Sequence, residues 1–220
     1  MRRLIQLSNK NKLKLPYSKI VFTLSTFLAV NAFTSLPAKA AIEFTGDIDT
    51  LVDTVIEGAA NSMGKVAKTA PVRWAWCEDV SNASYNIISK RICLNPKFIK
   101  ELSKAGKAPI AFVVAHEYAH HVQFSSSKSI SNDKRNTKDV ELQADCYAGI
   151  ILATTNEISF DLNEVKTMIY AASQFGDYEY DSYNHHGSGE NRALALRSGL
   201  RFGSSQGKYK DAYYNYCLGK

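Results

Sequence analysis

Two histidines and a glutamate form the pattern H-E-Y-A-H at positions 116 to 120. On a helix, residues four apart lie on the same face, so His116 and His120 can bind one metal ion. Glu117 lies beside that face and not on it. A catalytic zinc ion takes three protein ligands and a water molecule, whose proton a neighbouring carboxylate can accept. The pattern therefore predicts a zinc site with Glu117 as the catalytic base.

This five-residue pattern leaves two positions free, so a third ligand is needed to support it. A histidine six residues after His120 is excluded, because position 126 is a serine. A second motif, E-L-Q-A-D, follows at 141–145. We predict that Glu141 is the third ligand of one Zn²⁺ per chain. Asp145, one helical turn later, can accept a hydrogen bond from the outer nitrogen of a zinc-binding histidine. An ordinary acidic helix face is the alternative, and the nearby histidine motif argues against it.

Helices must hold both motifs. Apolar residues surround the histidines and predict a largely buried helix over 110–124, and the serine-rich stretch 125–138 is expected to be an exposed loop. Further helical patterns cover 44–67, 139–155, 161–175 and, more briefly, 190–200. Short runs rich in Trp, Tyr, Ile and Val predict two or three strands within 72–94. An edge strand over 84–95 is expected to pair with an extended peptide.

The two motifs together, H-E-Y-A-H-H-V-Q and E-L-Q-A-D-C-Y-A-G, resemble the neutral zinc metallopeptidase family of bacteria, which is distantly similar to membrane proteases. The resemblance covers 92–199, about half of the chain. In this family a later His-Gly or His-Pro is followed by an arginine six residues after the histidine, a spacing matched here by His186 and Arg192. The resemblance implies that His186 lies near the metal and stabilises the oxyanion, while Arg192 braces the site. The residues between them differ from the usual small and polar ones.

The predicted fold class is α+β. We expect a zincin-like domain over 41–220, with a small β-sheet packed on the zinc-binding helix and a mainly helical second half. Its predicted reaction is hydrolysis of peptide bonds, in a peptide or protein substrate, by a zinc-activated water. The alternative is a non-catalytic exported protein that binds zinc or peptides through a degenerate peptidase fold. A closed structural site would need a fourth ligand such as His186, and the presence of Glu117 favours the enzyme.

Residues 1–40 have the three parts of a secretory signal peptide: a basic start, an apolar run over 20–33 and the small-residue motif Ala38-Lys39-Ala40. We predict cleavage after Ala40. An uncleaved anchor is the alternative, but the apolar run has about 14 residues where a membrane-spanning helix needs about 20. The mature protein is therefore expected in the periplasm or outside the cell, without stable membrane insertion.

Positive charge is concentrated in this leader. Seven of the 27 basic residues lie in 1–40, which contains no acidic residue. The remainder carries 20 basic and 21 acidic side chains, and its net charge of −1 gives no indication of nucleic-acid binding.

Four cysteines, Cys77, Cys93, Cys146 and Cys217, lie outside the leader. An even number of cysteines in an exported chain predicts two disulfides, for which three connectivities are possible. A bond between Cys77 and Cys93 is favoured because it closes a short loop, which leaves Cys146 to join Cys217. Buried free thiols are the alternative, and a zinc ribbon is disfavoured because there is no C-x-x-C pair.

Overall fold

The computed structural model describes residues 22–23, 44–125, 137–177, 186–205 and 216–217. The predicted signal peptide, apart from residues 22–23, and its cleavage site lie outside the described residues, as does most of the serine-rich stretch. The described chain combines helices with a small sheet and is mostly helical. This confirms the predicted α+β class, while the zincin-like assignment stays a prediction.

Six helices are described. They are α1 (Ile48–Ala59), α2 (Pro96–Ser103), α3 (Lys107–Ser125), α4 (Thr137–Thr154), α5 (Leu162–Gln174) and α6 (Gly189–Ser205). Helix α1 continues through a π-helical turn over Ala60–Gly64 and a last turn over Lys65–Ala67. Asp161 caps α5, as its position predicts: its side chain accepts from the backbone of Glu164, whose side chain accepts from the backbone of Asp161. Helix α2 was not predicted. Asn95 caps it and Pro96 occupies its first turn.

The described strands are β1 (Phe22–Thr23), β2 (Arg73–Trp76), β3 (Ala83–Asn86) and β4 (Arg91–Leu94). They form one sheet in the order β1-β3-β4-β2. Strand β4 is antiparallel to β3 and parallel to β2, and the two residues of β1 pair with β3.

The prediction of one edge strand over 84–95 is wrong. These residues contain most of β3, a turn and β4, and β4 is an interior strand of the sheet. The side chain of Asn86 accepts hydrogen bonds from the backbone of Ile88 and Ser89, and Lys90 has a positive φ of 49°. This turn reverses the chain and brings β4 back along β3.

Helix α3 lies at the centre of the core. It is buried from Ala108 to Gln123, so the histidine motif is surrounded by protein on every side. Helix α4 is likewise buried from Glu141 to Leu152 and packs against α3 and α6. Within the described parts of the chain, no helix is long and apolar enough to cross a membrane.

Two disulfides are formed, one between Cys77 and Cys93 and the other between Cys146 and Cys217. The first joins the end of β2 to β4. The second joins α4 to the C-terminal segment and spans 71 residues of sequence. Disulfides persist in oxidising compartments, so this pairing indicates an extracellular or periplasmic protein.

Candidate metal centre

The centre lies where α3 passes α4. His116 and His120 project from α3, and Glu141 projects from the first half of α4. The Nε2 atom of His116 is 3.2 Å from Oε2 of Glu141, and Nε2 of His120 is 3.4 Å from Oε1 of the same carboxylate. One ligand atom from each residue lies within 4.8 Å of the other two, and all three side chains are buried. The fold thus brings three potential metal ligands, 25 residues apart at the extremes, into one small volume.

Several polar atoms here are buried and make no hydrogen bond in the described structure, although Nε2 of His116 and Oε2 of Glu141 lie 3.2 Å apart, within ion-pair distance. They are Nε2 of His116, both carboxylate oxygens of Glu117 and Oε2 of Glu141. A buried polar atom without a partner costs about 1–3 kcal/mol, so such a cluster indicates that a further group binds there. Two imidazole nitrogens and a carboxylate oxygen are ligands that zinc takes in catalytic sites. The residues present therefore fit a zinc ion.

The orientation of His116 is set by Asp145. The Nδ1 atom of His116 is 2.9 Å from Oδ1 of Asp145. Because a carboxylate only accepts hydrogen bonds, Nδ1 carries the hydrogen, and Nε2 of the neutral ring can bind a metal. Arg192 holds the carboxylate in turn, through Nε at 2.7 Å from Oδ2 and Nη2 at 2.9 Å from Oδ1. Nη1 of Arg192 donates to the carbonyl of Phe175 at 3.0 Å. This fully buried arginine thus ties α6 to the metal centre.

The carboxylates of the centre have displaced pKa values. Burial raises the pKa of Glu117 above its ordinary value, against the opposing effect of His120 and His116. Burial would also raise the pKa of Glu141, but the adjacent imidazoles of His120 and His116 outweigh burial and hold this pKa well below its usual range. The arrangement therefore contains one carboxylate suited to binding a cation and another whose affinity for a proton is raised.

The imidazole of His116 is affected by the same neighbours. Burial alone would lower the pKa of His116, but the carboxylates of Asp145 and Glu141 raise it to about 9. In the absence of metal, this side chain is consequently protonated at neutral pH.

Comparison with known protein families supports the same chemistry. The family described as "Putative neutral zinc metallopeptidase" matches residues 90–206, a range that includes both motifs and α6. The chain belongs to this family. No curated protein and no solved structure matches the chain.

His186, to which the resemblance to this metallopeptidase family gives a catalytic role, lies just before α6. Its Nδ1 atom is 3.2 Å from Oδ2 of Asp177, and its backbone N–H donates to the same oxygen at 2.7 Å. Within the described residues it does not belong to the group of clustered ligand atoms formed by His116, His120 and Glu141. Its oxyanion role therefore stays a prediction.

His121, the neighbour of the metallopeptidase motif's second histidine, faces the sheet. Its Nε2–H donates to the carbonyl of Ala70 at 2.7 Å, and its Nδ1 lies 2.9 Å from the hydroxyl of Tyr85 on β3 and 3.0 Å from that of Ser125. Burial lowers the pKa of His121, which favours the neutral ring. This residue holds α3 against the sheet and takes no part in the cluster of ligand atoms.

Sequence reasoning gave no role to Gln123, although it belongs to the quoted metallopeptidase motif. Its Oε1 atom lies 2.8 Å from Nδ1 of His120. The available signal was its position, three residues after His120 on the same helix, which places the two side chains side by side.

Proposed function

We propose that this chain is an exported zinc-dependent metallopeptidase that hydrolyses peptide bonds. The observation that carries the proposal is Glu117, a wholly buried carboxylate next in sequence to His116, with neither oxygen hydrogen-bonded in the described structure. A structural metal site has no need of such a group, whereas hydrolysis requires a base there.

When bound, zinc would supply a Lewis acid that polarises the scissile carbonyl and makes a water molecule more acidic. His116, His120 and Glu141 would hold it. Glu117 would accept a proton from the water as the water oxygen bonds to the carbonyl carbon, and would donate that proton to the amine when the carbon–nitrogen bond breaks. A pKa raised by burial suits a group that must first accept and then release a proton. His186 is proposed as a donor to the oxyanion, and Arg192 as the support of Asp145.

The same proposal includes the location and extent of the enzyme. Residues 1–40 would serve as a signal peptide cleaved after Ala40, and 41–220 would form one zincin-like domain acting on peptides or proteins in the periplasm or outside the cell. The two disulfides support an oxidising location. The net charge of the mature chain, −1, gives no reason to expect a nucleic-acid substrate.

The test is Glu117→Gln, which removes the base and keeps the size of the side chain. The wild-type protein is expected to contain one zinc ion per chain and to cleave members of a mixed peptide library, as read by mass spectrometry. The variant should retain the zinc, because Glu117 is not a ligand, and lose hydrolysis by a factor of at least about 10². Zinc is measured by elemental analysis of the purified protein.

Two further variants distinguish the role of the base from that of a metal ligand and from that of an exposed acid. Glu57→Gln changes an exposed acid on α1 and should leave both zinc and hydrolysis intact. Glu141→Ala should lose zinc far more readily than Glu117→Gln, because it removes a ligand. Absence of zinc from the untreated wild-type protein would refute the mechanism, and full activity in Glu117→Gln would refute the role of the base.

A further inference from the structure

The outer nitrogen of His120 faces a neutral amide, whereas that of His116 faces a carboxylate. The Nδ1 atom of His120 is 2.8 Å from Oε1 of Gln123, and the Gln123 side chain is almost completely buried. A carboxylate can accept a hydrogen bond through either oxygen. An amide has one acceptor end and one donor end, so it fixes the histidine tautomer only if its own orientation is fixed.

Contacts with α4 fix that orientation. The Nε2 atom of Gln123 lies 2.8 Å from the carbonyl oxygen of Val140 and 3.0 Å from Oε1 of Gln143. A backbone carbonyl can only accept, so the amide nitrogen must face it. Reversing the amide would place two oxygen atoms 2.8 Å apart in a buried site. The amide oxygen therefore faces His120, whose Nδ1 must donate. In the neutral ring Nε2 then carries no hydrogen and can bind a metal.

Hydrogen bonds lead from Gln123 through Gln143 to the C-terminal segment. Gln143 donates through its own Nε2 to the carbonyl oxygen of Cys217 at 3.2 Å. Cys217 is in turn joined to Cys146 on α4, one turn after Gln143. Both ends of the Gln143 amide thus have partners, and the last of these partners is held by a disulfide.

We propose that Gln123 is a positioning residue for the metal centre: it holds His120 in the tautomer and orientation that bind zinc, and Gln143 with the carbonyl of Cys217 holds Gln123. This inference rests on the proposed zinc site. Substitution of groups that orient metal-binding histidines commonly weakens metal affinity by about 10- to 100-fold.

The experiment compares Gln123→Met with Gln123→Glu. Methionine has a similar size but offers no amide oxygen, so zinc affinity, measured by competition with a chelator, should fall about 10- to 100-fold. Glutamate keeps an oxygen that accepts from Nδ1 of His120, and its second oxygen can donate to the Val140 carbonyl when the carboxyl is protonated. In that neutral form Gln123→Glu should bind zinc at least about tenfold more tightly than Gln123→Met. Cobalt substituted for zinc reports the geometry directly, because its visible absorption depends on the ligand arrangement. We expect a changed cobalt spectrum in Gln123→Met and a nearly unchanged one in Gln123→Glu.

Thr155→Val is the matched control. It removes a buried hydrogen bond just after the end of α4, from the threonine hydroxyl to the carbonyl of Ile151, without touching the contacts that lead to His120. Unchanged zinc affinity in Gln123→Met would overturn the inference. So would equal losses in Gln123→Met and Gln123→Glu, or a loss in Thr155→Val as large as that in Gln123→Met. If the wild-type protein binds zinc and Gln123→Met binds it equally, only this inference fails; if the wild-type protein binds none, the proposed zinc site fails as well.

Discussion

Among the individual residues of the metal centre, charge is unevenly distributed around the two histidines. Asp145 contacts His116 and is paired with Arg192, whereas His120 is oriented by the uncharged Gln123. A charged partner stabilises the imidazolium form of a histidine more than a neutral partner does. The carboxylates of Asp145 and Glu141 raise the pKa of His116 to about 9 in the metal-free protein.

This shift predicts competition between zinc and protons. Zinc binds the neutral imidazole, so at about pH 7.5 binding should release about one proton from His116, and zinc affinity should rise about tenfold per pH unit up to about pH 9. Calorimetric titration in buffers of different ionisation enthalpy measures the protons released. Asp161→Asn, on the surface cap of α5, should release the same number. No proton release from His116 would mean that its imidazole is already neutral without metal.

The same pKa shift affects stability without metal. Because the pKa of His116 is higher in the folded than in the unfolded chain, its protonation stabilises the metal-free fold fully below about pH 6.5. That stabilisation is lost as the pH rises from there through about 9.

The site residues that sequence reasoning identified are those placed by local spacing. His116 and His120 are four apart on one helix, as are Glu141 and Asp145, and helical periodicity alone puts each pair on one face. The support of Gln143 by the carbonyl of Cys217 could not be read in this way. These two residues are 74 apart in sequence. Every residue has a backbone carbonyl, so the residue types do not indicate which carbonyl accepts the hydrogen bond.

Among the secondary-structure elements, the contact between α4 and α6 determines whether Arg192 can reach Asp145. Glycines let the two helices approach until their backbones touch. A Cβ atom at Gly149 would overlap the carbonyl of Leu196, and one at Gly199 would overlap the carbonyl of Cys146. Any larger residue at either position must push α6 away from the helix that carries Glu141 and Asp145.

Two glycine substitutions on α6 test this packing. Gly199→Ala should destabilise the protein by about 1–3 kcal/mol, because backbone atoms cannot move aside. Gly203→Ala should cost less, since its Cβ would come no closer than 2.8 Å to Ala153 and 3.1 Å to the carbonyl of Ile150, whereas a Cβ at Gly199 would overlap the carbonyl of Cys146. Alanine is also favoured over glycine in a helix by up to about 1 kcal/mol. Urea unfolding of the metal-free proteins measures both free energies. Equal stability of the two variants would show that the helices are not in backbone contact.

The long helices were predictable because each has a sustained apolar pattern or a clear cap, as at Asp161. Helix α2 was missed although Asn95 and Pro96 are signals of a helix start, because its eight residues are too few to show a convincing period. The parallel pairing of β2 with β4 depends on contacts between separate segments, and no local pattern reports it. The prediction of a single edge strand over 84–95 was wrong for a local reason, because a turn follows Asn86.

Across the whole molecule, the two disulfides have different consequences. The bond between Cys77 and Cys93 lies within the sheet and closes a short loop of 16 residues. The bond between Cys146 and Cys217 closes 71 residues and holds the carbonyl that anchors Gln143. The second is connected to His120 through the hydrogen bonds of Gln143 and Gln123.

We therefore predict that the two bonds can be distinguished by zinc affinity. The double variant Cys146→Ser, Cys217→Ser should lose about 4 kcal/mol of stability, and the double variant Cys77→Ser, Cys93→Ser about 3 kcal/mol, from the chain entropy regained by the unfolded state. These losses are similar because loop entropy grows only with the logarithm of loop length. Chemical unfolding of the metal-free proteins measures them.

Zinc affinity should respond differently. Without the bond to Cys146, the carbonyl of Cys217 is no longer held beside Gln143, so Gln143 can turn away from Gln123. The Gln123 amide then keeps its bond to the Val140 carbonyl but loses the support of Gln143, and His120 is held less firmly. The double variant at Cys146 and Cys217 should therefore bind zinc more weakly, by up to about tenfold, as chelator competition would measure. The variant at Cys77 and Cys93, of comparable stability, should bind zinc like the wild-type protein, because that bond holds neither Gln143 nor Gln123. Equal zinc affinities in the two double variants would contradict a link between the C-terminal disulfide and the metal centre.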